Sequence, residues 1–219
     1  PYIISKTNGM ARGGKRFGIC RLCLEESELT FEHIPPRSAF NKKTNFIETT
    51  FGDYISQVKS PESPIKGKYK QGGMGRYAYC ERHNNFLGQK YVPEYMKWVT
   101  MGIHMLSKSP EGGIFELKEL NPKAIIKQVV SMFLGLNEDD FSFQNKELVD
   151  FVKNEHQEEL PEKYQTYCYL NKGPRSRYTP FMVKGQFESN KIFVGSEFSF
   201  PPFGYVLLIN SPVPDERLI

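Results

Sequence analysis

The feature that most constrains this chain is a pair of metal-type doublets, C-x-x-C at Cys20 and Cys23 and C-x-x-H at Cys80 and His83. A structural zinc site takes four soft or borderline ligands in a tetrahedron, and each doublet supplies two of them from a single turn. One doublet is common by chance, whereas two of them drawing on three of the chain's four cysteines carry real weight. The ordinary alternative, buried thiols beside an unrelated histidine, leaves the doublet spacing without a cause. The stretch from residue 24 to residue 79 is too long for a small zinc finger. It suits a clasp in which a knuckle and a helix start grip one ion around an inserted hairpin. Cys168 stands apart in an apolar strand pattern, TYCYL. So few cysteines in a chain of this size argue against a disulfide framework and for a cytoplasmic protein with a metal site.

Between the doublets lies Phe31–Glu32–His33–Ile34–Pro35–Pro36, read as the end of a short strand stopped by two prolines that cannot donate a ladder hydrogen bond. Glutamate oxygen suits a hard divalent ion, and neutral imidazole takes a proton from water near neutral pH. Neighbours in an extended chain point to opposite faces, so a bend or bulge is expected if both are to serve one site. Alone, Glu-His before prolines is an ordinary surface pair; flanked by two metal doublets it becomes a candidate site.

The ordered run CRLC…LTFEHIPP…GGMGRYAYCERHNNFLG resembles the HNH endonuclease superfamily in its treble-clef, zinc-stapled form, over roughly residues 18–100. The resemblance implies a ββα-metal fold with one divalent ion, Mg²⁺ or Mn²⁺, beside a structural Zn²⁺. It makes His33 the general base, Glu32 a ligand of the catalytic ion, and Asn84 the second ligand in an asparagine-ended variant. Cys20, Cys23, Cys80 and His83 become the zinc set, with His83 replacing the usual cysteine; the alternative for His83 is service to the catalytic ion. For the middle asparagine of the motif, Asn41 and Asn45 both qualify, and each also reads as an ordinary loop residue. The implied reaction is hydrolysis of a nucleic-acid phosphodiester, DNA first, in a restriction or anti-phage setting by analogy. The rival of another class is a zinc-stapled nucleic-acid-binding module without catalysis.

Charge fits a phosphate-binding front half. The net charge is +4 and the pI about 8.8. Basic residues crowd residues 6–76, while acidic ones thicken after about residue 110. Arg37, Lys42, Lys43 and Arg76 are the candidate phosphate contacts, although a solvated lysine-rich loop has the same composition. The chain lacks an apolar run of about 18 residues, so no membrane span is expected, and residues 1–20 do not read as a signal peptide.

The expected fold is α+β, with an HNH domain over residues 1–106 and a smaller α+β companion domain over 107–219 that shapes substrate choice or assembly, as a homo-oligomer or with a partner subunit. Residues 37–76 read as a long polar excursion. A helix is expected from Glu81, continuing past Pro93 through Val99. Asn121–Pro122 opens an amphipathic helix whose apolar positions run from Ile125 to Leu134, and another is expected over Lys146–Glu155. Strands follow in TYCYL, TPFMVKGQF, KIFVG and EFSFPPFGYVLLIN. His104 and His156 take ordinary surface or packing roles, and Trp98, Tyr91 and Tyr95 take core roles.

Overall fold

Short runs of alternating side chains build two sheets in this protein, and one helix lies against both. The computed structural model describes residues 2–4, 15–49, 53, 56, 67–108, 116, 118–173, 176–186 and 191–212. The smaller sheet is antiparallel, in the order β2-β3-β6, from β2 (Arg16–Ile19), β3 (Glu26–His33) and β6 (Gly75–Cys80). β6 runs directly into helix α1 (Glu81–Lys90). The sequence suggested one helix through Pro93, but the chain breaks at Tyr91 and restarts as α2 (Val92–Lys108). Inside a continuous helix Pro93 would lose a hydrogen bond and its ring would strike the preceding turn. At the second position of α2 its missing N–H costs nothing.

Helix α3 (Pro122–Leu136) begins as expected, with the Asn121 side chain accepting from the Ala124 N–H at 3.1 Å and proline in the first turn. It is no surface helix. From Ala124 to Leu136 every residue except Ile126 is buried. The reason is that α3 has a sheet on each side. Toward the small sheet, the Tyr79 hydroxyl donates to the Ser131 carbonyl at 2.5 Å, and Gly135 lies beside Ile34. Toward the large sheet, Phe133 meets Phe198 edge to face, and the Tyr178 hydroxyl donates to Asn137 just past the helix end. Two shorter helices, α4 (Asp139–Gln144) and α5 (Lys146–Lys153), follow.

The large sheet has seven strands in the order β5-β4-β1-β8-β9-β10-β7. Its strands β7 (Tyr164–Leu170), β8 (Arg177–Gln186), β9 (Lys191–Phe200) and β10 (Phe203–Ile209) pair antiparallel. KIFVG and EFSF join into the single strand β9, and Pro201–Pro202 turns the chain into β10. The remaining three strands come from the other end of the chain: β1 (Tyr2–Ile4), β4 (Phe46–Thr49) and β5 (Lys68–Lys70), with β1 parallel to both β4 and β8. Among its described residues the polar excursion of residues 37–76 therefore contributes β4 and β5, each too short to show a periodicity, and the start of β6. Buried residues on either side of the expected division at 106/107 form one continuous core. The protein is a mixed α+β fold, and among the described residues no helix is long and apolar enough to cross a membrane.

Candidate functional site

The knuckle between β2 and β3 is a tight turn whose backbone bonds curl around the position a cation would take. The Cys20 N–H donates to the Glu25 carbonyl at 3.0 Å, and the Leu24 N–H returns to the Cys20 carbonyl at 2.8 Å, with Leu24 at a positive φ of 62°. The Arg21 N–H donates to the Ala78 carbonyl at 3.0 Å and fastens the knuckle to β6. Cys80 ends β6 as the cap residue of α1, and His83 follows on the first turn of that helix.

The ligand atoms of Cys20, Cys23, Cys80 and His83 all lie within 4.8 Å of one another. His83 Nδ1 is 3.4 Å from Cys20 Sγ and 3.3 Å from Cys80 Sγ. A tetrahedral zinc ion with ordinary bond lengths sets sulfur and nitrogen about 3.5 Å apart. The four side chains expected from the doublets thus form one group able to hold a metal ion such as zinc. Its electrostatics suit a cation. Burial pushes the Cys20 thiol up to about 11, so ionisation there needs a positive charge to offset desolvation. Burial, helped by Arg82 and Lys153, holds His83 below its ordinary value and keeps the imidazole neutral, the form that ligates.

Glu32 and His33 end β3, at the mouth of the hairpin. A bulge does occur, between Thr30 and Phe31 in the pairing with β6, but the extra residue is Ala78 on the partner strand. Alternation along β3 is therefore intact, and Glu32 and His33 leave the strand on opposite faces. Glu32 faces inward with Thr30 and Tyr79. It is 8% exposed, no hydrogen bond or ion pair reaches its carboxyl among the described residues, and burial pushes it up to about 8. Asn84, on the first turn of α1, comes to the same face. Its amide nitrogen donates to Thr30 Oγ1 at 2.8 Å, which leaves Oδ1 without a donor among the described residues.

His33 faces the other way and is held by backbone. Its Nε2 lies 3.1 Å from the Gly72 carbonyl oxygen. A carbonyl only accepts, so Nε2 carries the proton and Nδ1 holds the lone pair. The segment over the ring exists because of glycine: Gly73 has φ +100°, and a Cβ there would sit 2.0 Å from the Asn41 carbonyl oxygen and 2.8 Å from His33 Cδ2. Asn41 secures that segment. Its side-chain nitrogen donates to the carbonyls of Pro35 and Met74, and its oxygen accepts from the Met74 N–H, all at 2.7 Å. It is fully buried, whereas Asn45, the other candidate, is exposed. An irregular turn over Arg37–Asn41, with Phe40 at φ 65°, aims Asn41 inward. Sequence spacing left the choice between the two asparagines open, and Thr30 and Gly73 carried no signal beyond strand and turn composition.

The four candidate phosphate contacts divide. Arg37, Lys42 and Lys43 are exposed on the segment that follows Pro36. Arg76 is engaged instead, donating to the Leu136 carbonyl at 2.5 Å and to Glu138 at 3.0 Å. Arg21 makes a parallel tie to Asp139 at 2.5 Å. Trp98 stacks on Phe203, Tyr91 and Tyr95 are buried, and His104 and His156 are exposed. Compared with known proteins, the chain matches no family model, no curated protein and no solved structure.

Proposed function

We propose that the protein is a metal-dependent endonuclease of the HNH type, hydrolysing nucleic-acid phosphodiester bonds at the mouth of the β3–β6 hairpin. The observation that carries this reading is a buried Glu32 carboxyl, without a partner among the described residues, on the face that Asn84 reaches. His33, held by the Gly72 carbonyl, leaves the strand end on the other face, so the substrate must wrap that end. A buried acid with no partner is costly and persists where function needs it. The Glu32 carboxylate and the free Oδ1 of Asn84 offer hard oxygen donors on one face, a set that fits Mg²⁺ or Mn²⁺. When bound there, such an ion supplies positive charge to the phosphate as the leaving oxygen develops its own.

The protein's own groups do the rest. His33 takes the proton of the attacking water at Nδ1, while the Gly72 carbonyl holds the ring through Nε2–H. Asn41 keeps the Gly73–Met74 segment against Pro35 and so keeps the ring in place. Arg37, Lys42 and Lys43 neutralise flanking phosphates. Cys20, Cys23, Cys80 and His83 hold zinc and fasten the knuckle to the start of α1, so that Asn84 stands beside Thr30. Strands β3 and β6 followed by a helix, with a knuckle ahead of them, support the ββα reading.

The test is incubation of the metallated protein with plasmid, single-stranded DNA and RNA, with and without Mg²⁺ or Mn²⁺. Cleavage that requires the divalent ion and leaves 5′-phosphate ends is the expected outcome. Binding without cleavage under every condition would instead favour a non-catalytic, zinc-stapled binding module.

A further inference from the structure

The face of β2, β3 and β6 that carries His33 holds a row of ring and guanidinium groups. The Arg16 guanidinium sits 4.3 Å from the centroid of the Tyr77 ring. Tyr77 meets Phe31 at 5.4 Å and Phe31 meets His33 at 5.1 Å, both edge to face. Register puts the four on one side: Arg16 lies opposite Leu29, Phe31 opposite Tyr77, and His33 opposite Gly75. Leu29, Phe31 and His33 are alternate residues of β3 and share a face. Phe31, in the middle, is 36% exposed, which strand propensity alone does not require of so large a ring.

Charge segregates with the same period. The acids of β3 are Glu26, Glu28 and Glu32, all on the opposite side of the strand. The aromatic side is left with Arg16 and His33, and the exposed Lys42 and Lys43 follow Asn41 just past the His33 end. An aromatic surface on which β3 places no acid, with cations at each end among the described residues, complements one class of ligand: a polyanion whose repeating units carry flat rings. Those rings must be unpaired to lie on Phe31, because in a duplex both faces of each base are already stacked.

We infer that the Arg16–Tyr77–Phe31–His33 row is a stacking platform for unpaired nucleobases next to the scissile phosphate, which makes single-stranded or locally unpaired nucleic acid the substrate. The inference rests on the proposed hydrolysis only for the location of the cut, and stacking can be measured without it.

Fluorescence anisotropy in the absence of Mg²⁺ and Mn²⁺, on the zinc-loaded protein, separates the two. The probes are labelled oligothymidine, the matching oligouridine, and a blunt hairpin duplex of mixed sequence. The platform predicts binding to at least one single strand about tenfold tighter than to the duplex, and the tighter of the two identifies the sugar. It predicts that Phe31→Ala weakens single-strand binding about tenfold, the effect of one lost stacking contact, while leaving duplex binding unchanged. Phe31→Trp should restore it, which a merely structural role at this exposed position would not produce. Unchanged melting temperature and zinc content show that each variant is folded. Equal affinity of the wild type for single strands and duplex, no binding to any probe, or an unaffected Phe31→Ala would each overturn the platform. Phe31-dependent binding to a single strand by a protein that never cuts would sink the hydrolysis reading and leave the platform standing. Cleavage of duplex and single strand alike, indifferent to Phe31→Ala, would do the reverse.

Discussion

Glu32 is the residue whose cost is plainest. Its carboxyl titrates near 8 in the folded protein and near 4.5 as an ordinary side chain, so ionisation opposes folding. The penalty is absent below about pH 4.5, grows as pH rises through this window, and is complete above about pH 8. Glu32→Gln is therefore expected to raise the melting temperature at pH 8 by about 5 °C or more and to leave it nearly unchanged at pH 4.5. Mg²⁺ or Mn²⁺ at pH 8 should stabilise the wild type and not the variant, by mass action on the native state. Thermal melts over this pH range check both. A second expectation concerns the clamp. Asn41→Ala leaves the carbonyls of Pro35 and Met74 and the Met74 N–H without their side-chain partner, a loss of about 2 kcal/mol or more. It should lower cleavage further than stability, since the His33 ring loses the segment that holds it. The sequence made Glu32 and His33 legible because adjacent residue types carry the chemistry. It did not distinguish Asn41 from Asn45, because the partners of Asn41 lie on two separate segments that only the folded hairpin brings together.

At the scale of elements, the metal clasp was the most legible part of the chain, because ligand spacing within a knuckle and within a helix turn is local. Among the described residues its two halves are joined by β3–β6 pairing, the Arg21 to Ala78 backbone bond and the Asn84 to Thr30 side-chain bond. Removing the ion should therefore loosen both at once. Chelation of zinc, or Cys80→Ser, is expected to lower the melting temperature by 10 °C or more, on the order of several kcal/mol, and to abolish stoichiometric zinc in metal analysis. A chelator-treated protein with unchanged melting would contradict the clasp. Helix α3 shows the opposite case. Its apolar positions were visible at helical spacing, but Lys127, Gln128 and Ser131 suggest a solvent face that is not there. All three are buried. Lys127 reaches the carbonyls of Phe151 and Asn154 and so closes the C-terminal end of α5, a partner that no reading of α3 alone supplies. Pro93 was visible too, yet apolar periodicity on both sides masked the break at Tyr91.

For the whole molecule, the metal clasp and the C-terminal strands are joined through α3 and through β1, β4 and β5. The ties Arg21–Asp139 and Arg76–Glu138 cross the same boundary. A fragment ending at residue 106 would expose Ile34 and Tyr79, both buried in the full chain, and leave the Tyr79 hydroxyl without the Ser131 carbonyl. Such a fragment is expected to melt without cooperativity and to be cut rapidly by protease, whereas an intact cooperative transition would show that the clasp folds alone. Helical spacing and strand-like runs made the α+β class readable, but the crossing strands were not, since three or four residues of alternation look the same in a loop.

The claim on which the rest depends is that His33 is the base of a metal-dependent hydrolysis. Its most direct test is the single-turnover rate of phosphodiester cleavage in Mg²⁺ or Mn²⁺ by wild type and by His33→Ala, both zinc-loaded and equally stable. The expected loss in His33→Ala is about 10²- to 10⁴-fold, the usual worth of a positioned general base. Rates within a factor of about two would contradict it, because an imidazole whose removal leaves the rate intact is not moving the proton.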